Sequence, residues 1–442
     1  MNALDLIRRK HAGRELSSSE IDWLVREAVA GKIPDYQLSA LLMVISYEHL
    51  SFDETVALTR AFVASGETLS WPGELGIFID KHSTGGVGDK VSLILIPLLA
   101  SLGFKVAKMS GRALGFTGGT IDKLESIPGF RTNLSREEML QVAEDAGCCV
   151  VEQSADLVPA DKLFYSLRDA TDTVEEIGLI AASVMSKKIA CGAPYIVLDV
   201  KCGSSAFFKT LDRAREFAQI AKRIGGEFGR KVGCVITNMD QPLGCYIGNR
   251  SEVSEAAFVL KHPDFWREHR IADLIEVVIS LAAVAQVLAG SSDSLEEGRE
   301  VAATALYSKK PYGVFTRWVA AQGGDLSAFE AAVAENESGW DPVTTDQRGY
   351  VTHIDGVLLG NIVHRLASEA SAMGKAFTDG FNIDLEAKVG EGLLREDRNL
   401  LLMMQNPAGL HLTNDLKAEL RGAFKIADAP PVKPGIVLDV IL

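Results

Sequence analysis

The chain has 442 residues, enough for two or three domains around a substantial core. Its 45 Lys+Arg against 59 Asp+Glu leave a net charge of −14, which repels polyphosphate backbones and excludes a general nucleic-acid binder, so any anion site must be local. Hydrophobic residues at 47% and charged residues at 24% exclude disorder, and the longest apolar runs, near a dozen residues, are too short to cross a bilayer.

The first sixteen residues lack the basic start, apolar core and small-residue cleavage site of an export signal. Residues 1–66 read as wholly helical. Ser17-x-x-Glu20 and Ser51-x-x-Glu54 are capping boxes ahead of amphipathic runs at 21–30 and 55–64, with a mostly apolar helix at 36–47 between them. Past Trp71-Pro72-Gly73 the pattern changes to short β-rich runs, 77–80, 105–109, 148–151, 196–200 and 232–237, each followed by a loop and a helix. Strands alternating with helices predict a parallel sheet. Residues 161–190 return to a helical pattern, so they can rejoin the N-terminal helices as a discontinuous domain and leave a cleft between two lobes.

Residues 251–308 read as three helices, the middle one, 273–288, apolar on most faces and therefore buried. After Gly339 the character shifts to a mixed α+β end piece, finishing in a β-like tail at 435–442. The six cysteines (148, 149, 191, 202, 234 and 245) form no C-x-x-C and have no His at zinc-ligand spacing, and they read as reduced, mostly buried thiols of a cytoplasmic protein.

The densest chemistry lies in 80–92, DKHSTGGVGDKVS, where a strand runs into a glycine loop and then an apolar helix. Three glycines in four residues let main-chain amides turn inward, and the helix start adds a positive dipole end, which together make an anion cradle. Lys81, Ser83 and Ser92 add charge and hydroxyl donors, so phosphate is the natural ligand; a plain tight turn is the alternative. A second run, 108–125, KMSGRALGFTGGTIDKLE, also follows a strand and opens a helix. Two such loops converge at one sheet edge in an open α/β fold. Lys108, Ser110 and Thr120 offer donors there, whereas Arg112, Asp122 and Glu125 read as paired structural ions. In the returning helical stretch, Ser183 and Lys187 are four apart on one helix face, near Tyr165 and Arg168 in sequence, and can address one planar polar ligand, against the alternative of ordinary surface charge.

The runs KHSTGGVGD, SGRALGFTGGTIDKLESIPGF, FYSLRDATDTVEEIGLIAASVMSKK and VLDVKCGSSAFFKT together resemble the thymidine and pyrimidine nucleoside phosphorylases over nearly the whole chain. The resemblance implies the fold of anthranilate phosphoribosyltransferase: a small helical lobe (1–66, rejoined by 161–190) and a large α/β lobe with a central, mostly parallel sheet (67–160 and 191–335). A C-terminal α+β domain (340–442) completes it, and the implied assembly is a homodimer. It places phosphate on Lys81, Ser83, Ser92, Lys108, Ser110 and Thr120, and the pyrimidine on Arg168, Ser183 and Lys187. His82 then lies between them as donor to the leaving base, and Leu114, Tyr165 and Phe207 wall the base pocket. No organic cofactor is implied; inorganic phosphate is the co-substrate.

Some members hold a potassium ion through positions matching Gly88, Lys90, Leu243, Tyr246 and Glu255. Here Lys90 replaces a frequent Thr, so either an ion is bound or the lysine ammonium occupies its place and Glu255 pairs with it. Phe116 stands where His is usual, and Ser205 where Gly is usual. The implied reaction is reversible phosphorolysis of uridine, thymidine or deoxyuridine to free base and (2-deoxy)ribose 1-phosphate. The rivals are a strict thymidine phosphorylase, a phosphoribosyltransferase of the anthranilate type, and a binding protein without turnover. Neither nucleic acid nor membrane is an expected partner.

Overall fold

Ser17 and Ser51 each accept a hydrogen bond from the amide three residues on, and Glu20 and Glu54 each accept one from the cap's own amide. The helices Ser18–Val29 and Phe52–Ala64 therefore begin where the sequence predicts. The computed structural model describes residues 1–112, 118–154, 156–264, 270–335, 339–372, 381–406, 412–433 and 435–442. The chain divides into two compact units, one of residues 1–74, 153–196 and 215–232, the other of 75–152, 197–214 and 233–442.

The first unit is helical. Ala3–His11, Ser18–Val29, Asp35–Glu48 and Phe52–Ala64 are joined by Pro159–Ala170 and Ile177–Ala190. Leu24, Leu38, Leu41, Leu58, Phe62 and Phe164 are buried in its core, and the rings of Phe62 and Phe164 meet edge to face at 5.1 Å. Glu54 does more than cap. Its carboxylate takes the buried Lys10 ammonium at 2.6 and 2.9 Å and the Leu16 amide at 2.8 Å, tying the start of the chain to the fourth helix.

The second unit holds the sheet. Its hydrogen-bonded order is Ile79–Ser83, Tyr195–Cys202, Lys231–Asn238, Val437–Ile441. Val106–Ser110 pairs in parallel with Cys148–Glu152, and a parallel bridge between Phe78 and Lys105 joins this pair to Ile79–Ser83. The tail strand Val437–Ile441 leaves the end piece and runs antiparallel to Lys231–Asn238. The apolar helices Val91–Ser101 and Ala272–Ala289 bury most of their side chains in this unit. Contrary to the expectation that no apolar run is long enough to cross a bilayer, Ala272–Ala289 passes by length and composition, yet its burial is that of a core helix.

The end piece has two small sheets. Asn399–Gln405 lies between Trp340–Thr345 and Asn382–Leu385, and Gly349–Ile354 lies between Gly392–Leu393 and Phe424–Ala427. Val343, Val351, Leu359, Ile383, Leu402 and Met404 fill their shared core. All six cysteines are free and buried.

Candidate active site

In the second unit, the strands Ile79–Ser83 and Val106–Ser110 meet at their starts, where Ile79 donates to Lys105 O and Lys105 to Ile77 O, both at 2.9 Å. Among the described residues their pairing stops there, because the two belong to separate ladders. By strand alternation Lys81 and Ser83 share one face of the first strand, and Lys108 and Ser110 one face of the second. The two strand ends carry two ammonium groups and two hydroxyls. His82 faces the other side by strand alternation and is half-buried.

Each donor is held by a neighbour. Lys81 is fully buried, 3.1 Å from Ser92 Oγ at the start of helix Val91–Ser101 and 3.4 Å from Asp199. Lys108 Nζ donates to Ser110 Oγ at 2.9 Å. The Ser83 hydroxyl donates to Asp89 and accepts from the Gly85 amide at 3.2 Å, which folds the glycine loop back on the strand end. Burial pushes the Asp89 carboxyl up, but Lys201, Lys81 and Lys123 and the Ser83 hydroxyl outweigh it and hold it well below the usual carboxylate range. The loop is therefore a charged construction in a chain that is acidic overall. Thr120 opens the short helix Thr120–Glu125. Arg112 is committed elsewhere, bridging Glu125 at 2.7 Å and Glu152 at 2.8 Å, as the paired-ion reading expects.

The oxygens matched to a potassium site are engaged by a cation of the chain itself. Lys90 Nζ donates to Leu243 O at 2.9 Å, Tyr246 O at 2.7 Å and Glu255 Oε2 at 2.5 Å. Burial alone lowers its pKa, yet the charges of Glu255 and Glu252 raise it above the ordinary lysine value, so the group is an ammonium. These residues do not fit a bound metal ion as well.

In the first unit, Tyr165 and Arg168 stand on Pro159–Ala170, and Ser183 and Lys187 on Ile177–Ala190. Lys187 Nζ is 3.1 Å from Ser183 Oγ and is ion-paired with Asp161, whose carboxylate is buried. The charged ends of Arg168 and Lys187 both lie 5.9 Å from the Tyr165 ring centre. Arg168 is no solvated surface charge. It is buried and donates to Thr173 O, Val174 O and Leu179 O at 3.3, 2.7 and 3.3 Å, which leaves two of its five N–H groups unused among the described residues.

Phe207 is 40% exposed and packs edge-on against Phe208. Leu114 and Phe116 lie outside the described residues. The sequence reading missed Asp161, and it assigned no role to Asp199 or Lys201, which form a buried 2.9 Å ion pair beside Lys81. The signal was present: two opposite charges two positions apart in an otherwise apolar strand must share a face. Among the described residues no group of three His, Cys, Asp or Glu side chains could hold a metal ion. A separate cavity of about 250 Å³, lined by Asp240, Gln241, Arg270, Asp273, Lys388 and Glu391, contains none of the predicted residues.

Residues 75–310 match the α/β domain of the glycosyl transferase family, and residues 4–66 its helical bundle domain. The pyrimidine-nucleoside phosphorylase of Staphylococcus epidermidis is 40% identical over 428 residues, covering 96% of this chain and 97% of that protein. That of Geobacillus stearothermophilus is 39% identical over 444 residues, covering 100% of each. That of Bacillus subtilis is 44% identical over 371 residues, 84% of this chain and 82% of that protein. Among solved structures, the anthranilate phosphoribosyltransferase of Thermus thermophilus matches 72% of this chain and 99% of its own with a TM-score of 0.57 at 20% identity. That likeness shows the fold alone.

Proposed function

The chain belongs to the glycosyl transferase family that includes the pyrimidine-nucleoside phosphorylases, and from that premise we propose that it catalyses reversible phosphorolysis of pyrimidine nucleosides. A nucleoside and inorganic phosphate give free base and (2-deoxy)-α-D-ribose 1-phosphate, and no organic cofactor takes part. The observation that supports this reading is the buried Lys81 ammonium 3.1 Å from Ser92 Oγ, beside a glycine loop folded back on the strand end by the Ser83 hydroxyl. Such a cradle suits a tetrahedral dianion.

Lys81, Ser83, Ser92, Lys108, Ser110 and Thr120 hold phosphate for attack on C1′ from the face opposite the base. The transition state has oxocarbenium character, as in glycoside cleavage, and needs no enzyme nucleophile. Holding two reactants in line supplies roughly 7 to 11 kcal/mol of the barrier reduction. Arg168, Ser183 and Lys187 receive the charge that moves onto the pyrimidine, and His82 donates to the departing base. Tyr165 and Phe207, with Leu114, wall the ring.

The substrate range is uridine, deoxyuridine and thymidine, since Lys108 in the run AKMSGR resembles the broad pyrimidine enzymes more than the strict thymidine ones. The enzyme acts as a homodimer in the cytoplasm. Support for the dimer comes from Tyr36, Met43 and Tyr47, which form one exposed apolar stripe on helix Asp35–Glu48, with Leu4 exposed on Ala3–His11. Free, buried thiols suit a reducing compartment. Steady-state turnover of the three nucleosides tests the range: all three are cleaved when phosphate is present, whereas rejection of uridine alone makes this a strict thymidine enzyme.

A further inference from the structure

The segment 242–246 gives its main-chain oxygens to two buried ammonium groups. Lys90 takes Leu243 O and Tyr246 O. Lys388, from the end piece, takes the two carbonyls that flank Leu243, Pro242 O at 2.7 Å and Gly244 O at 2.6 Å. Each lysine brings an acid that also accepts the segment's amides. Glu255 pairs with Lys90 and accepts from Cys245 and Tyr246 at 2.8 and 3.0 Å; Asp273 pairs with Lys388 at 2.9 Å and accepts from Gly244 at 3.3 Å.

The phosphate loop rests directly on this clamp. Leu243 donates to Val87 O at 3.1 Å. Gly88, at φ +75°, lies so close that a Cβ there would come within 2.7 Å of Leu243 O. Lys90 itself caps helix Val91–Ser101, whose first turn carries Ser92, the partner of Lys81. The position of Lys90 thus fixes the position of two phosphate donors.

We propose that Lys90 makes this chain independent of monovalent metal ions: its tethered ammonium fills the oxygen cage of Leu243, Tyr246 and Glu255 and holds the phosphate loop in place, with Lys388 locking the same segment from its other carbonyls. A bound ion stabilises only in proportion to its concentration over its dissociation constant. A tethered one has no such dependence, and that difference can be measured. Lys90 is a positioning residue, acting on phosphate through the loop it anchors.

The experiment compares potassium chloride with tetramethylammonium chloride at equal ionic strength, reading the thermal midpoint and the steady-state constants. The wild-type chain has the same midpoint and the same KM for phosphate in both salts. Lys90→Thr opens the cage: in tetramethylammonium its phosphate KM rises by about tenfold, equivalent to about 1.4 kcal/mol, while the nucleoside KM moves less. Potassium then restores the phosphate KM and raises the variant's midpoint by about 2 to 4 °C. A wild-type midpoint or phosphate KM that depends on potassium overturns the proposal, as does a Lys90→Thr loss that potassium leaves unrepaired. The wild-type comparison decides even where the variant does not fold. Only the kinetic arm rests on the phosphorolysis reading; the melting arm uses no substrate, so a failure of that reading leaves the cation question separately answered.

Discussion

Asp161 and Lys187 form an ion pair between two helices of the first unit, with the carboxylate almost fully buried and the ammonium partly open. The pair aims Lys187 at the Ser183 hydroxyl and past the Tyr165 ring. A lysine so tethered is a preorganised donor, whereas a free one must lose rotamer entropy each time it binds. Asp161→Asn keeps the shape and removes the charge. It lowers kcat/KM for the nucleoside by about tenfold and leaves the phosphate KM unchanged. Lys187→Ala removes the donor itself and costs about 2.7 to 4 kcal/mol in barrier. Equal effects of Asp161→Asn on both substrates would show that the pair serves folding instead.

Lys108 and Lys81, both proposed to hold phosphate, differ in what else they hold. Lys108 contacts Ser110, whereas Lys81 also neutralises Asp199. Lys108→Ala weakens phosphate binding, read by titration calorimetry. Lys81→Met weakens phosphate binding and also costs about 3 to 5 kcal/mol of stability, because it strips charge from a buried ion network. Retention of full phosphate affinity by both variants would remove the cradle from the account.

The ion pairs behind these predictions also mark how far the residues could be read before the fold was known. Capping boxes at Ser17 and Ser51, the five strands of the α/β region and the burial of residues 273–288 were legible because each is written in a local pattern. Arg112 with Glu125 was legible for the same reason. Asp161 with Lys187, Asp273 with Lys388 and the tail strand on Lys231–Asn238 were not. Each joins segments 26 to more than 100 residues apart, and no periodicity encodes which distant partner a charge or an edge strand will meet.

Ser205 is fully buried, and its hydroxyl has no hydrogen-bond partner among the described residues. A Cβ on Gly356 would come within 2.4 Å of that hydroxyl, so the two segments are in close contact. An unpartnered buried hydroxyl costs about 1 to 3 kcal/mol. Ser205→Ala therefore raises the midpoint of chemical denaturation, and a lower midpoint would show that the hydroxyl is satisfied.

Asp384 carries a pH dependence. Burial, then the charge of Glu386, pushes its carboxyl up to about 6 despite the opposing pull of Arg270. A raised folded-state pKa means that the folded chain holds the proton more tightly than the unfolded one. Its stabilising contribution is complete below the unfolded value near 3.8 and is lost as pH rises to about 6. Asp384→Asn removes this dependence, so above pH 6 the variant is more stable than the wild type, by at most about 3 kcal/mol before allowing for partial exposure. Urea titrations at pH 5 and pH 8 check it; a difference that is the same at both pH values contradicts the assignment.

The most direct measurement is a product balance. The protein is incubated with uridine or thymidine, with and without inorganic phosphate, and both free base and pentose 1-phosphate are quantified. The account predicts base only when phosphate is present, matched mole for mole by pentose 1-phosphate. Base released equally without phosphate, or turnover only with a phosphoribosyl pyrophosphate donor, would contradict it.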